Sequence, residues 1–197
     1  MLDRLTKGLP RRWRVTIDWL LTIVGAIVIV LAVKQWVVNP YRIPSSSMEP
    51  TLLCARPADG CTASFSDRIL ACRYCLRLNA PRRSEILVFQ TPALARARCG
   101  LGGVYVKRVI GLPGETWEER AGRVYIDGRP LSEPYVNADG RDTRTIAPVR
   151  IARSSYFMMG DNRTDSCDSR SWGTVPRGSL IGNVFATYWP PQRIAIR

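Results

Sequence analysis

Hydrophobic positions fall into two regimes along this chain. From Trp19 to Val33 they run almost without a break. Widened to 15–38, the run admits Thr16, Asp18, Lys34 and Gln35, all near its ends. A membrane-spanning helix needs roughly 20 apolar residues, and end-lying polar groups can reach the interface. Trp13, Trp19 and Trp36 stand where an aromatic belt would form. The segment is apolar on all sides, unlike the one-sided helix of a soluble domain. It predicts a transmembrane anchor over 15–38. The preceding tail, 1–14, carries Arg4, Lys7, Arg11, Arg12 and Arg14, and the positive-inside tendency keeps it in the cytoplasm. Residues 39–197 are then expected outside, as a single-pass protein of the cell membrane. A cleaved leader would end in a small-x-small site, and Ala32-Val33-Lys34 is a poor one.

The second regime is made of short apolar bursts separated by glycine- and proline-rich turns. Tyr41–Leu53 reads as extended, because Pro40, Pro44 and Pro50 exclude a regular helix. Ala55–Pro81 reads as an irregular, cysteine-rich insertion. Glu85–Phe89 and Val104–Ile110 read as buried strands, the second closed by the turn Gly111-Leu-Pro-Gly114. Asp127-Gly128 between Arg123–Ile126 and Arg129–Leu131 is a hairpin signature. Further strands are expected at Ser155–Met159, Ser179–Ile181 and Val184–Trp189. Nothing past the anchor carries a long helical period. The expected fold is mostly β: one transmembrane helix, then an antiparallel β domain with a barrel-like core and a cysteine-bearing insertion.

Charge narrows the partners. The 197-residue chain has a net charge of +13, almost all from arginine. The arginines are scattered rather than clustered, which suits an anionic lipid surface better than a nucleic-acid site. The six cysteines, Cys54, Cys61, Cys72, Cys75, Cys99 and Cys167, are an even set in an exported domain and point to disulfides, with many pairings open. Cys72-x-x-Cys75 has no second such pair and the chain has no histidine, so neither a metal nor a cofactor is expected.

The absence of histidine also limits the chemistry. A serine nucleophile needs a base, and a serine–lysine pair remains as an option. Lys7 and Lys34 lie at or before the end of the anchor, so Lys107 is the only lysine downstream. A lysine is a base only when neutral. Lowering it from about 10.4 to about 8 by burial costs about 3 kcal/mol. Lys107, between valines on a buried-type strand, is placed for that, although a surface lysine with a buried stem fits the same residues. The candidate nucleophile lies in Pro44-Ser45-Ser46-Ser47-Met48-Glu49-Pro50, where prolines on both sides restrict the backbone. A third segment, Gly160 to Gly173, packs turn formers, charges and hydroxyls together, with Asp168 and Arg170 placed to pair.

In these three segments, taken in order, the chain resembles the bacterial type I signal peptidases. Pro44-Ser45-Ser46-Ser47-Met48, Lys107-Arg108 leading into Gly111-Leu112-Pro113-Gly114, and Gly160-Asp161-Asn162 through Ser166, Asp168, Ser169 and Arg170 match the family's motifs. Val88-Phe89 matches a fourth segment. Glu85, where the family strand opens with aspartate, and the insertion depart from it.

The resemblance implies a membrane-anchored serine endopeptidase that removes signal peptides after small-x-small sites. It implies Ser47 as nucleophile and Lys107 as general base. Ser45 and the Ser47 N–H would form the oxyanion hole, Ser166 would orient the Lys107 amine, and Asp161, Asp168 and Arg170 would support the loop. The substrate would add as a strand beside Tyr41, Arg42 and Ile43 and beside Tyr105 and Val106. Ile43, Met48, Leu52, Val88, Tyr105 and Val106 would line small pockets, ordinary core packing being the other reading for Ile43, Leu52 and Val88.

The partners implied are signal peptides and the membrane, with no nucleic acid, and the protein is expected to be a monomer. If Ser166 meets Lys107, then Cys99 and Cys167 approach each other and form a bridge. Cys54–Cys61 and Cys72–Cys75 would be local pairs. Two other functions fit parts of the pattern. A self-cleaving Ser–Lys repressor shares the dyad but is cytosolic, and an anchored basic β module would bind lipid or an envelope partner without catalysis.

Overall fold

The structure, a computed structural model, describes residues 10–36, 38–100 and 102–197. Arg4, Lys7 and Val37, and the side chains of Lys34, Gln35 and Trp36, lie outside the described set. The chain divides between Val38 and Asn39 into two compact units.

The first unit is helix α1, Arg11–Trp36. Its stretch Arg11–Leu31 has a mean hydropathy of 2.1 with none of its apolar window buried, long and apolar enough to cross a membrane. Thr16 and Thr22 do not leave their hydroxyls unpaired in it. Each donates to the carbonyl four residues back, at 2.9 and 2.7 Å.

The second unit is built on two antiparallel sheets. Its elements are β1 (Val38–Arg42), β2 (Arg68–Cys72), α2 (Cys75–Leu78), β3 (Ile86–Gln90), α3 (Ala93–Cys99), β4 (Val104–Gly111), β5 (Thr116–Arg120) and β6 (Arg123–Ile126). There follow β7 (Arg129–Pro130), β8 (Ile146–Arg150), β9 (Ser155–Met159), α4 (Ser169–Trp172), β10 (Val175–Pro176), β11 (Leu180–Trp189) and β12 (Ala195–Ile196). The larger sheet runs β1-β2-β11-β3-β4-β9-β10, with β12 also on β11, and the smaller runs β7-β6-β5-β8. The Asp127-Gly128 hairpin forms as expected, with φ of 49° and 76°, the two left-handed residues of a tight two-residue turn.

Several expectations are corrected. Tyr41–Leu53 is not extended throughout, since after β1 the chain makes a short 3-10 turn at Ser46–Met48. The stretch 55–81 is not uniformly irregular. It contains β2, which pairs along much of β11, and the short α2. The two strands expected near the C-terminus are one, β11, bent by register shifts. β5, β8 and α3 lie where no element was expected.

Ile110, Trp117, Val124, Ile126, Ile151, Phe157 and Met159 form a core that joins the two sheets, with the Trp117 and Phe157 rings stacked at 4.0 Å. A second cluster holds Ile43, Met48, Leu52, Val88 and Val184. It anchors the Ser46–Met48 turn from below by burying Met48 to 1% exposure. The disulfides are Cys54–Cys61, Cys72–Cys75 and Cys99–Cys167, as expected.

Candidate active site

Strand β4 carries Lys107 and Arg108, and both side chains are buried. Leu87 of β3 faces Lys107 across the ladder, and Arg108 pairs with Met159 of β9. The 3-10 turn presents Ser47 to β4, so that Lys107 Nζ lies 2.5 Å from Ser47 Oγ. Ser45 Oγ is 3.2 Å from the same oxygen. Burial pushes the Lys107 amine down from its ordinary 10.5 to about 8, against the opposing pull of Asp168, Asp161 and Asp165.

The loop after β9 closes the site. Asp161 grips Arg108 with both oxygens, at 2.8 and 2.6 Å, while Arg108 also reaches the Ser84 carbonyl at 2.7 Å. Removing one partner of such a buried pair costs about 3–5 kcal/mol. Asp168 caps α4 by accepting from the Arg170 N–H, and it accepts the Gly160 N–H at 3.1 Å. Burial alone would raise its carboxyl. The Arg170 guanidinium, on both oxygens at 2.8 Å, outweighs that with help from Lys107 and holds it below the usual carboxylate range. The Cys99–Cys167 bridge ties the end of α3 to this loop between Ser166 and Asp168.

Ser166 departs from expectation. Its Oγ is buried and makes no hydrogen bond to Lys107 among the described residues, and its polar neighbour is the Asp168 carboxyl, which it helps to hold down. The amine instead donates to Ser47. Ser166 borders Gly160, where a Cβ would collide with Ser166 Oγ and with the Ser47 carbonyl oxygen.

Of the residues expected to line pockets, Ile43, Met48, Leu52 and Val88 are packed together and buried, with Tyr41 and Val106 at the edge of the cluster. Tyr105 packs on Trp172 instead, ring centroids 5.5 Å apart. The β4–β9 ladder begins at Arg108, beyond Tyr105 and Val106.

The family profile described as signal peptidase, peptidase S26, matches residues 16–189. The chain belongs to this family. The signal peptidase I of Leptolyngbya laminosa is 37% identical over 174 residues, covering 88% of this chain and 79% of that protein. That of Bacillus amyloliquefaciens is 31% identical over 187 residues, covering 90% of each. A crystal structure of a signal peptidase I from Enterococcus faecalis is 33% identical, with a TM-score of 0.44, covering 53% of this chain and 97% of that one.

The peptidase also holds site residues to which its sequence assigned no role. Arg108 follows Lys107 directly, and the acidic partner in the Gly160 loop was the available clue. Glu119 of β5 has no such clue. It is fully buried, neither oxygen accepts a hydrogen bond, and its nearest cation is Arg170 Nη1 at 3.7 Å. Burial pushes its carboxyl up to about 7, against Arg170. Arg170 is thus shared among Asp168, Asp142 at 2.7 Å and Glu119.

Proposed function

We propose that this peptidase is a membrane-anchored endopeptidase that cleaves signal peptides from exported preproteins by a Ser47–Lys107 dyad. The observation that carries it is a buried lysine amine 2.5 Å from a serine hydroxyl in a chain without histidine. The neutral amine accepts the Ser47 hydroxyl proton as Oγ attacks the scissile carbonyl carbon. The Ser47 N–H and the Ser45 hydroxyl hold the oxyanion, whose charge exists only at that stage. The ammonium, steadied by Asp168 and Asp161, returns its proton to the leaving amine. Water then attacks the acyl-Ser47 ester, with Lys107 again taking the proton.

The substrate adds as a strand between Tyr41–Ile43 and Tyr105–Val106. In this reading Ile43, Met48, Leu52 and Val88 line the small pockets that select small-x-small sites. In this reading 1–14 is a cytoplasmic tail, 15–38 the span and 39–197 the extracytoplasmic catalytic domain. The anchor keeps the peptidase on the membrane that its substrates cross. Because only the neutral amine works, turnover rises with pH through about 8.

The test is cleavage of a preprotein by the full chain in detergent or vesicles, with the product mass read by mass spectrometry. The wild type releases a mature fragment cut after a small-x-small site, and Ser47→Ala releases none. Cleavage by Ser47→Ala at the wild-type rate would remove the nucleophile assignment.

A further inference from the structure

The nucleophile turn is held from behind by contacts that no step above uses. Ser46 is 3% exposed, and its hydroxyl donates to Oδ2 of Asp165, the residue before Ser166. It also lies 3.5 Å from the Asp59 carbonyl oxygen. Nearby, the Asn162 N–H donates to the Ser47 carbonyl at 3.2 Å, and Asn162 Nδ2 donates to the Ser46 carbonyl at 3.4 Å. Gly60, in the loop closed by Cys54–Cys61, lies over the Ser46–Asp165 bond. Its φ is +72°, and a Cβ there would stand 2.6 Å from Asp165 Oδ2 and 2.7 Å from Ser46 Oγ. Three segments far apart in sequence therefore converge on one bond. A hydroxyl donating to a carboxylate makes about twice as strong a bond as a neutral pair, and the Ser46 end of this one is buried. Ser46 and Ser47 share a single 3-10 turn, so a shift at Ser46 carries Ser47 Oγ with it.

We propose that Asp165 is a positioning residue: through Ser46 it seats the Ser46–Met48 turn so that Ser47 Oγ stays on the Lys107 amine, with the 54–61 loop covering the bond. This rests on Ser47 being the nucleophile. Misplacement of a reacting group by about 1 Å can cost on the order of 100-fold in rate, and that is the scale on which the latch acts.

The experiment measures kcat and KM on a preprotein for Ser46→Ala, Asp165→Asn, the double variant and Gly60→Ala, each corrected for the folded fraction by thermal melting. The expected result is a fall in kcat of about 10- to 100-fold with KM nearly unchanged. The double variant should be no worse than either single one, because both break the same bond. A second readout separates the bond from the charge. Asp168, Asp161, Arg170 and Asp165 are the charges that act on Lys107. Losing the Asp165 anion lowers the pKa of the amine, so the rising limb of the pH profile moves to lower pH in Asp165→Asn and stays in place in Ser46→Ala. Wild-type kcat per folded molecule in Asp165→Asn, or additive losses in the double variant, would overturn the proposal. Ser47→Ala, run alongside, distinguishes the two failures. If it is dead while Asp165→Asn is normal, only the positioning role fails; if it is active, the nucleophile assignment fails first.

Discussion

Lys107→Arg should lose cleavage by about a thousandfold or more, because arginine stays protonated at any usable pH and cannot take the Ser47 proton. Lys107→Met should be equally inactive, and its stability carries a second expectation. The Lys107 amine titrates at about 8 in the folded chain and at 10.5 ordinarily. Between those values the unfolded chain binds more protons than the folded one, so stability from this group rises with pH across the window. Below the window the folded protein bears the full cost of a buried ammonium. At 1.36 kcal/mol per unit that cost is about 3 kcal/mol at neutral pH. Lys107→Met removes it, so the inactive variant should melt higher than wild type at pH 7. The difference should vanish as pH rises past 10.5. Turnover by Lys107→Arg, or a lower Tm for Lys107→Met at pH 7, would contradict the account.

Gly160→Ala should also damage activity heavily, though less than Lys107→Arg, and for a different reason. The backbone of Gly160 is not in the left-handed region, so conformational strain is not the cause. The space is. An added methyl would run into the Ser47 carbonyl oxygen and Ser166 Oγ and stand 2.6 Å from Ser166 Cβ. A main-chain oxygen has no rotamer into which to retreat, so the turn or the loop must move. Either movement separates Ser47 Oγ from Lys107 Nζ. A loss of about 100-fold in kcat is expected, with a lower Tm because the Gly160 N–H bond to Asp168 is disturbed. Initial-rate kinetics beside a melting curve check both, and a wild-type kcat would show that the close approach is not required.

The parts of the fold legible in the sequence were those whose cause is local. The Asp127-Gly128 hairpin needs two left-handed residues, and β9 is a plain buried strand. The Ser47–Lys107 contact was legible because Lys107 is the sole lysine beyond the anchor and no histidine competes with it. What stayed hidden depends on distant partners. β5 reads Thr-Trp-Glu-Glu-Arg, too polar for a buried strand, yet Glu118 is met by Arg120 and Glu119 is enclosed near Arg170. β8 contains Pro148, which marks a break in a central strand but is tolerated at the edge of the small sheet. β11 looked like two strands because Gly182 interrupts it. There the glycine serves close approach to β2, since a Cβ would stand 3.1 Å from Ala71 Cβ. The Ser46–Asp165 bond spans 119 residues, and no spacing rule connects them.

Whether Lys107 is a neutral base can be read directly, because the chain has only three lysines. The measurement is a pH titration by carbon NMR of the full chain labelled at the lysine Cε. The account predicts one signal titrating near 8 that is absent from Lys107→Arg. If the signal lost in Lys107→Arg titrates near or above about 10 in the wild type, the account is contradicted.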